Sequence, residues 1–274
     1  MRDTSIFIGL FEEGTNAVEY DWRATAFIAT VAHSILLNGK RQSTLYIVTA
    51  EHVVATFMNQ PTAVRIRRKD GEWFTRKFHH GVNWFYHPTD SQADIALAPV
   101  TLPHSELRLQ LVPEEGLLAD EEICRNRLSV GDKAIMVGIS RGEDGKVNDT
   151  PAIRRGHISG IPLQQVPAGG AGLMDAYYLD VASSGGFSGA PVFTPNKWFA
   201  SGTNGYYILG LIHGHRNVAG NPAIVSPAQK TKETLNHPEL VALRVQHDME
   251  RAESQRAAEK APTLRGDSLK DDAQ

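Results

Sequence analysis

Along the first hundred residues, apolar and β-branched positions come in short runs broken by turn-forming residues. Thr25–Leu37 is one such run, Asn38-Gly39-Lys40 interrupts it, and Thr44–Thr49 follows. Asn-Gly between two such runs predicts a hairpin, because both residue types accept the positive φ of a tight two-residue turn. Ala63–Arg67 alternates apolar with charged side chains, as a half-buried strand does, and Lys69-Asp70-Gly71-Glu72 turns it into Trp73–Thr75. Ala93–Val100 reads as a further compact strand. The stretch 103–128 is less regular, carrying Pro103, Pro113, Glu114, Glu115 and the acidic run Asp120-Glu121-Glu122.

The strand pattern resumes at Lys133–Ile139, Ala152–Ser159, Ala176–Val181, Ala190–Phe193 and Tyr206–Ile212. Two sets of short antiparallel strands around one linker predict an all-β chain built from two β-barrels or sandwiches. The boundaries expected are an N-terminal barrel over 1–105, a linker over 106–128, a C-terminal barrel over 129–230, and a helix with a polar tail over 231–274. Pro238 opens the helix, with Leu240, Val241, Leu243, Val245 and Met249 as its apolar positions. Beyond Pro262 the composition is polar and charged, which predicts disorder.

Composition narrows the classes of function. Of 274 residues, 28 are Lys or Arg and 31 are Asp or Glu, a formal net charge of −3. A general nucleic-acid binder needs a basic face, so no nucleic-acid partner is expected. No apolar run approaches the roughly 18–20 residues needed to span a bilayer, so no membrane partner is expected either. The sequence Met1–Leu10 does not read as a secretory signal, since its apolar stretch of about five residues gives way to Glu12 and Glu13. Cys124 is the only cysteine, which excludes an intramolecular disulfide. Together these features give a cytoplasmic expectation.

Three segments carry candidate chemistry. Tyr46–Thr49 ends in Ala50-Glu51-His52; Asp94 opens the apolar Ile95-Ala96-Leu97; and Ser188 stands among glycines in Ser183-Ser184-Gly185-Gly186-Phe187-Ser188-Gly189-Ala190-Pro191. A serine hydroxyl is a poor nucleophile until an imidazole takes its proton, and the imidazole works best when a carboxylate fixes its tautomer. Glycines beside the serine let backbone N–H groups face a developing oxyanion. The order His, Asp, Ser, with gaps of 42 and 94 residues, differs from the subtilisin and α/β-hydrolase orders. The remaining histidines give no metal set: His79 and His80 are adjacent and would point to opposite faces of a strand, and His213 and His215 have no third ligand nearby in sequence. No cofactor is expected.

On these residues the chain resembles the trypsin-like, chymotrypsin-fold serine peptidases. Thr49-Ala50-Glu51-His52 is similar to the family's T-A-x-H, Asp94–Leu97 to its D-I-A-L, and Gly186–Pro191 to its G-x-S-G-x-P. Phe85–Pro88, Gly156–Ser159, Asp180 and Leu209–Ile212 fall where the family expects them, and the resemblance covers roughly residues 20–230. It lies closest to the bacterial branches without disulfides, the DegP/HtrA-like proteases and the glutamyl endopeptidases. Secreted relatives brace this fold with disulfides, one beside the catalytic histidine, where this chain has Val53. The resemblance implies two barrels of the six-stranded type with a C-terminal helix closing the second. It implies an acyl-enzyme mechanism in which His52, Asp94 and Ser188 are catalytic and the amides of Gly186 and Ser188 form the oxyanion hole.

Two departures from the family pattern bear on regulation and specificity. Phe187 stands where digestive and clotting members carry the aspartate that receives a freshly cleaved N-terminus, so a zymogen switch of that kind is not expected. Ala182 occupies the pocket-base position, so a basic P1 residue is not expected. Ser183 and His213 resemble the pair that glutamyl endopeptidases use for an acidic P1, but His213 lies one residue late in Gly210-Leu-Ile-His213, which on a strand flips it to the other face. Ala182, Ser183, His213 and Gly214 are the substrate-pocket candidates, with a small apolar or an acidic P1 left open. The sequence therefore predicts a serine endopeptidase acting on a protein or peptide, its polar C-terminal tail available to a regulatory partner. The alternative is a catalytically silent module of the same fold that binds peptides or a partner protein.

Overall fold

The computed structural model describes residues 2–15, 17–37, 40–125, 128–140, 150–161, 166–167, 173–195, 205–216 and 220–260. Eight strands make the first half: β1 (Ser5–Glu13), β2 (Val18–Leu37), β3 (Lys40–Thr49), β4 (Thr62–Arg67), β5 (Trp73–Phe78), β6 (Phe85–Tyr86), β7 (Ala96–Val100) and β8 (Val112–Pro113). They form one sheet in the order β5-β4-β1-β2-β3-β7-β6, with β8 pairing in parallel with β2. Ile6, Ile8, Phe27, Ile28, Tyr46, Ile47, Val48, Ile95 and Leu97 are fully buried within it. At about 25 cal/mol per Å² of apolar surface removed from water, such side chains supply the main drive for the sheet to form.

The second half closes completely. Strands β9 (Lys133–Gly138), β10 (Ala152–Gly160), β13 (Tyr177–Ala182), β14 (Pro191–Pro195), β15 (Tyr206–His215) and β16 (Pro222–Pro227) form a six-stranded barrel in the order β10-β13-β16-β15-β14-β9, and β11 (Val166–Pro167) with β12 (Leu173–Met174) makes a separate ribbon. Met136, Ile158, Tyr177, Leu179, Phe187, Val192, Leu209, Ile212 and Val225 fill the barrel. All-β architecture and the split into two strand sets agree with the sequence pattern.

Several expectations shift in detail. The hairpin between β2 and β3 is present, with Phe27 opposite Val48, while its Asn38-Gly39 turn lies outside the described residues, as do the loop 141–149 and the tail from 261. The N-terminal segment, placed in the first barrel by the sequence pattern without a strand of its own, is β1, a central strand paired to both β2 and β4. Residues beyond 105 still belong to the first sheet, through a bridge from Leu107 to Arg68 and through β8. Among the described residues, four α-helices accompany the sheets: α1 (Glu51–Ala55), α2 (Asp120–Arg125), which contains Cys124, α3 (Ala228–Leu235) and α4 (Pro238–Lys260).

At the C-terminus, α3 packs against β15 and β16 of the second barrel, and α4 packs on β2 of the first sheet. Arg244 donates to the hydroxyl of Tyr46 at 2.9 Å and to the carbonyl of Leu235 at 2.8 Å, and buried His33 pairs with Asp248 on one nitrogen and with Thr44 Oγ1, 2.8 Å away, on the other. A buried imidazole and a tyrosine hydroxyl need partners, and the helix brings them. Among the described residues no helix is long and apolar enough to cross a membrane.

Candidate active site

His52 is placed by the turn from β3 into α1, not by a strand end. Its backbone N–H donates to Asp94 Oδ1 at 2.9 Å, while its Nδ1 lies 2.9 Å from Oδ2 and 3.1 Å from Oδ1. Asp94 just precedes β7 in the left-handed region, with φ of 52°. Asp tolerates that region better than most residues, and the Glu51 amide, donating to the Asp94 carbonyl at 3.3 Å, holds it there. The carboxylate is nearly buried. Burial pushes its pKa up, but hydrogen bonds from His213 and His52, followed by their charges, outweigh burial and hold it down at about 2. Glu51, next to the histidine, is pushed up by burial and then by Asp94.

Ser188 approaches from the second barrel, with Oγ 3.0 Å from His52 Nε2. Its loop is held from both sides. Phe187 is completely buried in the barrel core, and above its ring, 4.7 Å from the centroid, lies the guanidinium of Arg154. Arg154 also donates to the carbonyl of Ala182 and to Ser184 Oγ. From the first sheet, the Thr25 amide donates to the Ser188 carbonyl at 3.0 Å, and Thr25 Oγ1 donates to the Gly186 carbonyl at 2.8 Å while accepting the Ile139 amide at 2.8 Å. Gly189, at φ 79°, is wedged so closely that a Cβ would lie 2.2 Å from the Thr25 carbonyl and 2.3 Å from Thr49 Oγ1. Only glycine fits that junction.

Gly186 also takes a positive φ, 96°. The amide between the two proposed oxyanion donors, that of Phe187, is spent on the Ser184 carbonyl at 3.3 Å. Among the described residues, the Gly186 and Ser188 amides donate to no protein acceptor. An oxyanion hole calls for such backbone donors left without a protein acceptor.

The pocket candidates divide. Ala182 ends β13 at the surface, Ser183 is buried with its amide on the Asn221 carbonyl at 3.1 Å, and Gly214 borders open space. His213 is placed differently: a bulge in the β15–β16 ladder between Ile212 and Gly214 re-aims it, and its Nδ1 bonds Asp94 Oδ2. The one-residue register argument gave no indication that Asp94 would be its partner. Thr25 and Arg154 escaped sequence reading altogether, Thr25 as one β-branched residue in a strand of many and Arg154 as one of two arginines in a strand.

This site lies in a chain whose residues 34–201 match the model of the trypsin-like peptidase domain, well over half its length. The chain belongs to that family. The solved crystal structure of Deg5 aligns with 82% of this chain and 84% of its own at 17% identity, with a TM-score of 0.47. No curated protein matches.

Proposed function

We propose that this chain is a serine endopeptidase working through His52, Asp94 and Ser188. The observation that carries the reading is the continuous contact from Asp94 through His52 to Ser188 Oγ, drawn from two sheets and spanning 136 residues of sequence. His52 Nε2 takes the hydroxyl proton as Ser188 Oγ attacks the peptide carbonyl carbon, and the amides of Gly186 and Ser188 hold the resulting oxyanion. The C–N bond then breaks, the same proton passes from Nε2 to the leaving amine, and water repeats the sequence on the acyl-enzyme. Asp94 keeps the ring's proton on Nδ1 and offsets the charge of the imidazolium.

The absence of a carboxylate at Ala182 supports a P1 residue that is not basic. With His213 bound to Asp94, the imidazole that an acidic P1 side chain would use is engaged elsewhere, which favours a small apolar P1. Substrates are peptides or unfolded protein segments, and the reaction calls for no cofactor. The lone cysteine supports a reducing, cytoplasmic setting.

Labelling with a fluorophosphonate probe tests the reading. The wild-type chain is expected to label and Ser188→Ala to remain unlabelled. A folded wild-type chain that stays unlabelled overturns it and leaves the silent binding module standing.

A further inference from the structure

Acyl transfer uses one imidazole, yet two meet at Asp94. His52 and His213 both direct Nδ1 at its carboxylate. Their rings cross at 74° with centroids 5.4 Å apart, and one ligand atom from each of the three residues lies within 4.8 Å of the other two. Two imidazole nitrogens and one carboxylate oxygen form a donor set that suits zinc and leaves the fourth tetrahedral position for water. Hard oxygen-seeking cations such as Mg²⁺ are poorly served by it.

We propose that His52, Asp94 and His213 form a zinc-type divalent-metal site, and that its occupation switches off the peptidase; the second clause rests on the function proposed above. Burial fits the scheme. The His213 and Asp94 side chains are only 15% and 9% exposed and form a fixed inner pair, while His52 is 44% exposed on the cleft side. Metal–ligand bonds of about 2.0–2.2 Å put neighbouring donors roughly 3.3 Å apart, so closure asks for shifts of about an ångström. His52, on a five-residue helix, is the member placed to make them. The negative carboxylate offsets part of the ion's charge in this enclosed position.

The chemistry of inhibition follows from the tautomer. In the free site each neutral ring that donates to Asp94 carries its proton on Nδ1, and His52 Nε2 holds the lone pair that Ser188 needs. When Nδ1 gives its lone pair to the metal, the ring stays neutral and its proton moves through solvent to Nε2. No net proton is lost. His52 Nε2 then bears N–H toward Ser188 Oγ and cannot accept the hydroxyl proton. Metal and catalysis therefore compete for one imidazole, although Ser188 is not a ligand.

Equilibrium dialysis of the full chain against Zn²⁺ tests the site without reference to activity. The wild-type chain and Ser188→Ala are expected to bind one equivalent each. His52→Gln and His213→Gln are expected to lose at least about tenfold in affinity, the scale of losing a well-placed metal contact. His52→Gln changes an exposed side chain, so it reports on the site even where His213→Gln unfolds. The chain has 11 histidines, so the double variant His79→Gln/His80→Gln serves as a control that retains binding. Co²⁺ in place of zinc is expected to give the visible absorption of a tetrahedral nitrogen–oxygen site. Zinc should block fluorophosphonate labelling, and EDTA should restore it.

Undiminished zinc binding in both glutamine variants, or none in the wild-type chain, overturns the site. Zinc binding by a metal-free chain that never labels overturns the peptidase reading alone. Labelling that zinc leaves unchanged despite binding overturns the switch.

Discussion

The Thr25 amide donates to the Ser188 carbonyl at 3.0 Å, so the Ser188 backbone is anchored in the opposite half of the molecule. Thr25 is fully buried, and its hydroxyl joins the Gly186 carbonyl to the Ile139 amide. One residue of the first sheet thus fixes both ends of the segment whose amides would receive the oxyanion.

Thr25→Val keeps the shape and the backbone bond but removes the hydroxyl. The Ile139 amide and the Gly186 carbonyl each lose a buried partner, at about 1–3 kcal/mol for such a group. The Gly186 carbonyl then loses its tether to the first sheet, and the segment that carries the two amides is held less firmly. We expect kcat to fall by up to about 100-fold, toward the cost of one lost oxyanion donor, with KM nearly unchanged, alongside a lower Tm. A lower Tm with unaltered kcat would make Thr25 a structural residue only.

Gly186→Ala probes the donor itself. The residue sits at φ 96°, and a Cβ there would lie 3.0 Å from the Ile139 carbonyl, so the loop must rotate to relieve the contact. Loss of the donor is expected to lower kcat by about 10²–10³-fold while the barrel, held by Phe187, stays folded by circular dichroism. Wild-type turnover in this variant would place the oxyanion donors elsewhere.

How much of this was legible in the sequence depends on the distance over which each signal acts. The motifs around His52, Asp94 and Ser188 are local patterns, and their order and spacing lead to the triad geometry. The apolar alternation likewise yields most strands of both halves, because one buried face leaves a mark on consecutive residues. β1 was obscured because its apolar run is short and stands near the terminus, although pairing on both edges buries it. The brace at Arg154 depends on a β10 side chain meeting the β13–β14 loop, and the role of His213 depends on a bulge. Neither leaves a local pattern. The seat of α4 depends on single polar contacts, Arg244 with Tyr46 and Asp248 with His33, which helix periodicity does not report.

Arg154 braces the loop before Ser188 from within the chain. Its fork bonds the Ala182 carbonyl and Ser184 Oγ, and its plane covers the Phe187 ring. Lys offers neither the fork nor the planar face. Arg154→Lys and Arg154→Met are both expected to lower kcat about tenfold or more, and purification of the wild type with extra N-terminal residues should leave activity intact. Rescue by Lys would reduce the role of Arg154 to its charge. A requirement for N-terminal trimming would contradict a built-in brace.

Asp94→Asn separates the carboxylate's chemistry from its geometry. Asn accepts the left-handed backbone that Asp94 adopts at φ 52°, so the fold should persist. An amide that donates to His52 Nδ1 selects the wrong tautomer, and kcat is expected to fall on the order of 10⁴-fold. The same substitution isolates the pH dependence of stability. Asp94 titrates at about 2 in the fold against 3.8 without its partners. A depressed carboxyl stabilises the fold fully above the unfolded value, and that contribution fades as the pH falls from about 4 toward 2. The shift corresponds to about 2 kcal/mol. Denaturant titrations of both chains should therefore show no loss from protonation of Asp94 above about pH 4.5. As the pH approaches 2, the wild type should lose about 2 kcal/mol relative to the Asn variant. Parallel curves down to pH 2 would mean that the two imidazoles do not hold Asp94 ionised.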